Sequence, residues 1–192
     1  NPYERYAYGL WLWSCQKDSE SLKNAFGIFE ESADKGIADA LQMMSRMYYL
    51  GEAYDEETGK FVMDRKLSQE LTSQAVEKGS ILAKLRRNRN LFFGTAEVEA
   101  DRTTAIAEAE RESSAIFSES ILWTEQLGYF YEIEGEKEKA IKAYEKCIIN
   151  GYYAPIYDLA LMYLEDGDED YYKPLLELGI DLGVPDCRIL GM

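Results

Sequence analysis

Apolar residues recur along this chain at intervals of three and four, and Leu41, Met44, Met47 and Tyr48 form one such set. That spacing brings a side chain back to one face of an α-helix at each turn, so the pattern predicts helices. No alternating run of useful length argues for a strand. Glycines fall where the helical runs stop: Gly36 after Ala33-Asp34-Lys35, Gly79 after Val76-Glu77-Lys78, and Gly151 after Ile148-Ile149-Asn150. Each reads as a C-terminal cap, where the backbone must enter the left-handed region. The expected elements are helix pairs near 3–35, 38–78, 81–113, 120–150 and 153–182, with no sheet.

The pairs resemble one another, which predicts a repeat architecture. With Leu127-Gly128-Tyr129-Phe130-Tyr131 as reference, the counterparts are Tyr8-Gly9 with Leu12, Met44-Ser45 with Tyr48, Arg87-Asn88 with Leu91, Leu159-Ala160 with Tyr163, and Leu190-Gly191. They lie 31 to 43 residues apart, room for one helix hairpin each. A small residue at the Gly128 position lets the second helix press on the first, while Tyr48, Tyr131 and Tyr163 fill space one turn later. In the second helices, Ala25 with Phe29, and Ala140 with Tyr144 and Cys147, supply facing small and large residues.

Two stretches carry a family signature: Lys35-Gly36-Ile37-Ala38-Asp39-Ala40 followed by Met47-Tyr48-Tyr49-Leu50-Gly51, and Gly151 followed by Ala160-Leu161-Met162-Tyr163 with Gly167. On these residues the chain resembles the Sel1-like repeat family, relatives of the tetratricopeptide repeats. Residues 124–147 look more like a plain tetratricopeptide unit, with Leu127, Gly128, Tyr131, Ala140, Tyr144 and Cys147 at matching places. The likeness extends over essentially the whole chain and is strong for two and a half repeats. The third repeat departs from it, with Asn88 and Leu91 where glycine and tyrosine are expected. The resemblance implies an all-α fold, a right-handed alpha-alpha superhelix of about five helix pairs forming a single domain over 1–192. It also implies an inner surface built by the first helix of each pair, holding a protein or peptide partner. The family fixes the scaffold and leaves the ligand open.

Charge narrows the partner. Lys and Arg number 21 against 36 Asp and Glu, a formal net charge of −15. Such a field repels phosphate backbones and anionic lipid headgroups, which argues against a nucleic-acid reader. No apolar run reaches the roughly 20 residues needed to cross a bilayer. The chain has no histidine, which removes the usual general base and the commonest metal ligand. There is also no GxSxG, no phosphate-binding glycine loop and no ligand cluster, so the expectation is a scaffold without catalysis, cofactor or metal. Cys15, Cys147 and Cys187 are odd in number and widely spaced, which points to a reducing compartment such as the cytoplasm. The chain opens at Asn1, which leaves a removed leader open.

Within this acidic chain Lys84, Arg86, Arg87 and Arg89 are the only dense basic cluster. By the geometry that the resemblance implies, Arg89 faces the groove and Arg46 takes the matching place one repeat earlier. Tyr49, Phe92, Phe93 and Tyr129 fall on neighbouring turns, and together the six would clamp an acidic or carboxylate-terminated peptide. The alternative is that these arginines pair with Asp39, Glu125 or other carboxylates of the chain itself. Asp166, Asp168, Asp170 and Glu177 mimic a calcium loop, but Tyr171 stands where such a loop needs glycine, and a solvated acidic turn is expected. The turn from Gly51 to Asp64, with Asp55, Glu56, Glu57 and Lys60, is longer than its counterparts, either a tolerated insertion or a projecting edge. Trp11 and Trp13 stand about 200° apart on a helix, so both cannot face inward.

The last residues, Gly183-Val184-Pro185-Asp186-Cys187 with Ile189 and Leu190, look like the start of another repeat. An open repeat end exposes the face meant for its neighbour, so the expectation is a longer array, or a homo-oligomer formed through terminal repeats. The competing functional reading is accordingly a self-associating structural module without a peptide ligand.

Overall fold

The computed structural model describes residues 1–192 apart from 17, 97, 116–119, 185 and 188–192. The expected features at Pro185, Ile189 and Leu190-Gly191 therefore lie outside the described residues. Among those described, ten helices follow one another as five pairs. They are α1 (Pro2–Cys15) with α2 (Ser19–Asp34), α3 (Ala38–Leu50) with α4 (Arg65–Glu77), and α5 (Ile81–Phe93) with α6 (Arg102–Ser113). The last two are α7 (Ser120–Ile133) with α8 (Lys137–Ile149), and α9 (Ile156–Glu165) with α10 (Glu169–Asp181). The chain divides into two compact units, Asn1–Arg87 and Asn88–Met192, with the boundary inside α5.

Local chemistry places the helix ends. The second helices of the first three pairs each start at an aspartate whose carboxylate accepts a backbone N–H two or three positions into the helix: Asp18 from Ser21 at 2.9 Å, Asp64 from Leu67 at 2.9 Å, and Asp101 from Thr104 at 3.0 Å. Those bonds hold the exposed Asp18 and Asp101 carboxyls below the usual carboxylate range. At the other ends, Gly36, Gly79 and Gly151 are left-handed, with φ of 89°, 89° and 79°. The residue after each then donates its N–H back into the last turn: Ile37 to Ser32, Ser80 to Ala75 and Tyr152 to Cys147.

The expectation of no sheet was wrong. In the long α3–α4 turn, β1 (Ala53–Asp55) pairs antiparallel with β2 (Lys60–Val62), Tyr54 standing opposite Phe61. Asp55 ties the connecting loop by accepting from the N–H of Glu57 and the hydroxyl of Thr58. Ala53 is wholly buried in the core that contains Phe26 and Phe29 of α2, and Lys23 of α2 lies 4.2 Å above the Tyr54 ring. Strands of three residues are too short for alternation to show in a sequence, and this pair is held by its seat on the helices.

Packing within each pair turns on the small position of the first helix. A Cβ on Gly128 would come within 2.5 Å of the Tyr144 ring on α8, and one on Gly9 within 2.8 Å of Ile28 on α2. Where the sequence departs from glycine, polar atoms do the joining. Ser45 is buried, with its hydroxyl 2.7 Å from the Ser68 carbonyl and 2.7 Å from the Thr72 hydroxyl on α4. Asn88, also buried, donates to the Ala105 carbonyl at 3.0 Å and to Glu108 at 2.8 Å on α6, and accepts from Gln126 at 2.7 Å. The tyrosine one turn later seals the joint to the preceding pair. Tyr48 meets Phe26 of α2 edge-on at 5.5 Å, Tyr131 donates to Glu110 of α6, and Tyr163 donates to Glu145 of α8 at 3.0 Å.

The second unit also brings carboxylates together. Tyr152 donates to Glu125 at 2.8 Å and Tyr144 to Glu132 at 2.8 Å. Asp158 of α9 stands half-buried beside them, and burial, then Glu132, Glu125 and Asp186, push its carboxyl up from 3.8 to about 6.

Two outcomes follow from this packing. Gly128→Ala forces Tyr144 to shift and should destabilise the second unit by about 1–3 kcal/mol in urea unfolding, whereas a larger residue should prevent compact folding. Because the folded state raises the Asp158 pKa, its stabilising contribution is complete below about pH 4 and disappears as pH rises through about 6. Asp158→Asn should therefore be more stable than the parent at pH 7, by on the order of 1 kcal/mol once solvent screening of a half-buried group is allowed for. The two proteins should converge near pH 4, and an equal difference at both pH values would refute the assignment.

Candidate binding surface

Helices α3 and α5 are set by their buried faces, Met43 and Met47 on α3 and Ala83, Asn88 and Phe92 on α5. Residues on the opposite side of these helices are turned outward. In the first unit that rule exposes Arg46 and Tyr49, the latter 48% accessible. Arg46 lies 4.6 Å above the ring of Trp13 from α1. The Tyr49 ring receives two guanidinium groups, Arg86 at 5.5 Å and Arg65 at 5.8 Å. Trp13 donates its indole N–H to Glu52 at 2.6 Å.

In the second unit Arg89 is exposed and sits 5.5 Å from the ring of Tyr129 and 5.9 Å from that of Phe93. Phe93 is 42% accessible and 6.0 Å from Tyr129. Phe92 corrects the expectation, because it is fully buried and cannot line a surface. Its ring stacks on Phe130 of α7 at 4.0 Å, with Arg102 of α6 5.1 Å away. Successive helical residues diverge by about 100°, so only one of the two phenylalanines could face out.

Pairing with the chain's own carboxylates, the alternative reading, is not seen for four of the arginines among the described residues. Arg46, Arg65, Arg86 and Arg89 have no carboxylate partner there. The acids proposed for that role are engaged elsewhere: Asp39 accepts the Ser80 hydroxyl at 2.5 Å and Glu125 accepts Tyr152. Arg86 carries the clearest mark. Its Nη1 is buried without a hydrogen-bond partner, and burial, followed by repulsion from Arg46, holds its guanidinium below its ordinary pKa. Of the basic cluster, Lys84 is half-buried and Arg87 exposed.

Sequence reading passed over two members of this surface. Trp13 stands four residues after Gly9 as Tyr49 stands four after Ser45, so the repeat register held the signal for it. Arg65 opens α4, beyond the hairpin, and nothing in the register marks it. The acidic run Asp166, Asp168 and Asp170 forms the α9–α10 turn, where Asp166 accepts from Lys137 at 2.6 Å. Among the described residues no group of histidine, cysteine or carboxylate side chains is placed to hold a metal ion. Cys147 is buried, and burial pushes its thiol up to about 12, which keeps it unreactive. A further cavity of about 400 Å³ lies between α8, α9 and α10, walled by Ile148, Ile149, Leu159, Tyr163 and Pro174.

No family model matches the sequence, and no curated protein matches it. A solved structure does: the crystal structure of c5321, a protective antigen present in uropathogenic Escherichia coli strains displaying an SLR fold, is 22% identical, with a TM-score of 0.52. The match covers 92% of this chain and 37% of that one, so this chain spans little more than a third of that structure's length. With its ten helices arranged as five hairpins, the chain is an all-α protein of the Sel1-like repeat fold.

Proposed function

We propose that this chain is a non-catalytic interaction scaffold that holds an acidic peptide or protein segment on the outward faces of its first helices. The observation that carries the reading is that Arg46, Arg65, Arg86 and Arg89 have no carboxylate partner among the described residues, in a chain of net charge −15. With so much acid in the chain, internal pairs would form readily. Guanidinium groups held instead over exposed rings present bidentate donors and apolar surface together, which suits recognition of carboxylates on a peptide. In the first unit Arg46 with Trp13 and Tyr49 supports this role, and in the second Arg89 with Phe93 and Tyr129.

One observation favours self-association as a second reading. On α1, Tyr8 and Trp11 stack at 5.9 Å and remain 51% and 48% accessible, an aromatic patch suited to a second copy. Light scattering on the parent and on Trp11→Ser separates the two, since a dimer lost on that substitution would support self-association.

The test of the main reading is a double substitution, Arg46→Ala with Arg89→Ala. Binding of a glutamate-rich peptide, followed by titration calorimetry, should weaken by at least about tenfold, and binding to the parent should fall with added salt. The melting temperature should scarcely move, because neither guanidinium has a carboxylate partner to strand. Unchanged binding with a melting point lowered by many degrees would show the arginines to be structural and overturn the reading.

A further inference from the structure

Arg46 from α3, Arg65 from the start of α4 and Arg86 from α5 gather round two rings, Trp13 and Tyr49. Arg65 and Arg86 share the same ring, and Arg46 acts on Arg86 by direct charge repulsion. Arg46 and Arg86 bring like charge together, and none of the three has a carboxylate partner among the described residues. A guanidinium is a five-donor fork, and one donor nitrogen of Arg86 is shut away from solvent with nothing to bond. A buried unpaired donor on a charged group is among the more expensive features a fold can keep, and it is found where something outside the chain completes it.

What would complete it can be read from the charges. A single carboxylate brings one negative charge and neutralises one of the three guanidiniums, leaving the repulsion of the others in place. A phosphoryl group on a side chain carries about −1.5 to −2 at neutral pH and three strong acceptor oxygens, enough for each arginine to donate to a separate oxygen. Helices α3 and α5 are anchored by buried Met47 and Ala83, which fixes the roots of Arg46 and Arg86 before any ligand arrives. Trp13 and Tyr49 place the guanidiniums beside apolar ring surface, Arg46 at 4.6 Å, Arg86 at 5.5 Å and Arg65 at 5.8 Å. Glu52 lies at the border of the group, held by the Trp13 indole N–H.

We infer that Arg46, Arg65 and Arg86 form a receptor for a phosphorylated side chain of the peptide partner, with Tyr49 and Trp13 as its aromatic walls. This rests on the reading that a peptide engages these arginines, and makes that reading specific. In the second unit Arg89 stands over Tyr129 and Phe93 with no second guanidinium at those rings among the described residues, and it serves unmodified carboxylates.

The experiment compares two short Glu/Ala peptides that differ only in a central serine or phosphoserine, titrated into the full chain by calorimetry, with phenyl phosphate as competitor. The phosphoserine peptide should bind at least about tenfold more tightly, and phenyl phosphate should abolish that advantage while acetate should not. Arg86→Lys keeps the charge and loses the fork, and should reduce the phosphate preference to about twofold or less while leaving the serine peptide unaffected. Arg65→Ala, at an exposed side chain, should do the same without disturbing any packing. Equal binding of the two peptides, still weakened by the Arg46 and Arg89 substitutions, would overturn the phosphate receptor and leave the acidic-peptide reading standing. If neither peptide binds, both fail. A phosphate preference that survives Arg86→Lys and Arg65→Ala places the site elsewhere and overturns this assignment.

Discussion

The fold depends on how closely the two helices of a hairpin can approach at one position of the first. Gly128 shows the limit, since its α-carbon faces the Tyr144 ring with no room for a methyl group. Once that approach is made, the large residues of the second helix, Phe29 on α2 and Tyr144 on α8, are buried against the first, which supplies most of the apolar burial in a pair. The same contact fixes the rotation of the first helix about its axis. Rotation then decides which residues can reach the preceding pair, and Tyr48, Tyr131 and Tyr163 do so with their rings or hydroxyls.

Serine and asparagine fill this position by a different physical route. Ser45 and Asn88 are larger than glycine and are wholly buried, which would be unfavourable for unpaired polar groups. Each is instead bonded to backbone and side-chain oxygens of its second helix. Van der Waals closeness is replaced by directional bonds, and the register of the hairpin is kept. Asn88 also accepts from Gln126 of α7, so it joins three helices where glycine would join two.

Orientation of the first helices has an electrostatic consequence. With Met47 on α3 and Phe92 on α5 turned inward, Arg46, Tyr49, Arg89 and Phe93 are turned outward, and cationic and aromatic side chains meet. Several acids have structural roles: Asp18, Asp64 and Asp101 cap the second helices of the first three pairs, and Glu125, Glu132, Glu110 and Glu145 receive tyrosine hydroxyls. A strongly acidic protein thereby keeps cationic side chains at its surface that have no carboxylate partner among the described residues. Asp158, half-buried among its own kind, is the reverse case, and there the fold tolerates repulsion that protonation relieves.

Helix period, terminal glycines and the recurring small position were all legible in the sequence, because each is a local constraint written within about one helical turn. Five hairpins with nearly correct boundaries follow from those alone. The α3–α4 hairpin was not legible, since three-residue strands have no pattern of their own and Ala53 acquires its role only by burial against α2. Phe92 and Phe93 could not be told apart either, because identical neighbours differ only in the direction that packing on Phe130 imposes. Nor could Arg65 be assigned, which meets Tyr49 across the hairpin from a different helix. The sequence by itself determined the kind and order of the elements, and the rings and arginines that could form a surface. Tertiary structure alone decided which of them face outward and which charges find partners, because both depend on contacts between residues far apart in the chain.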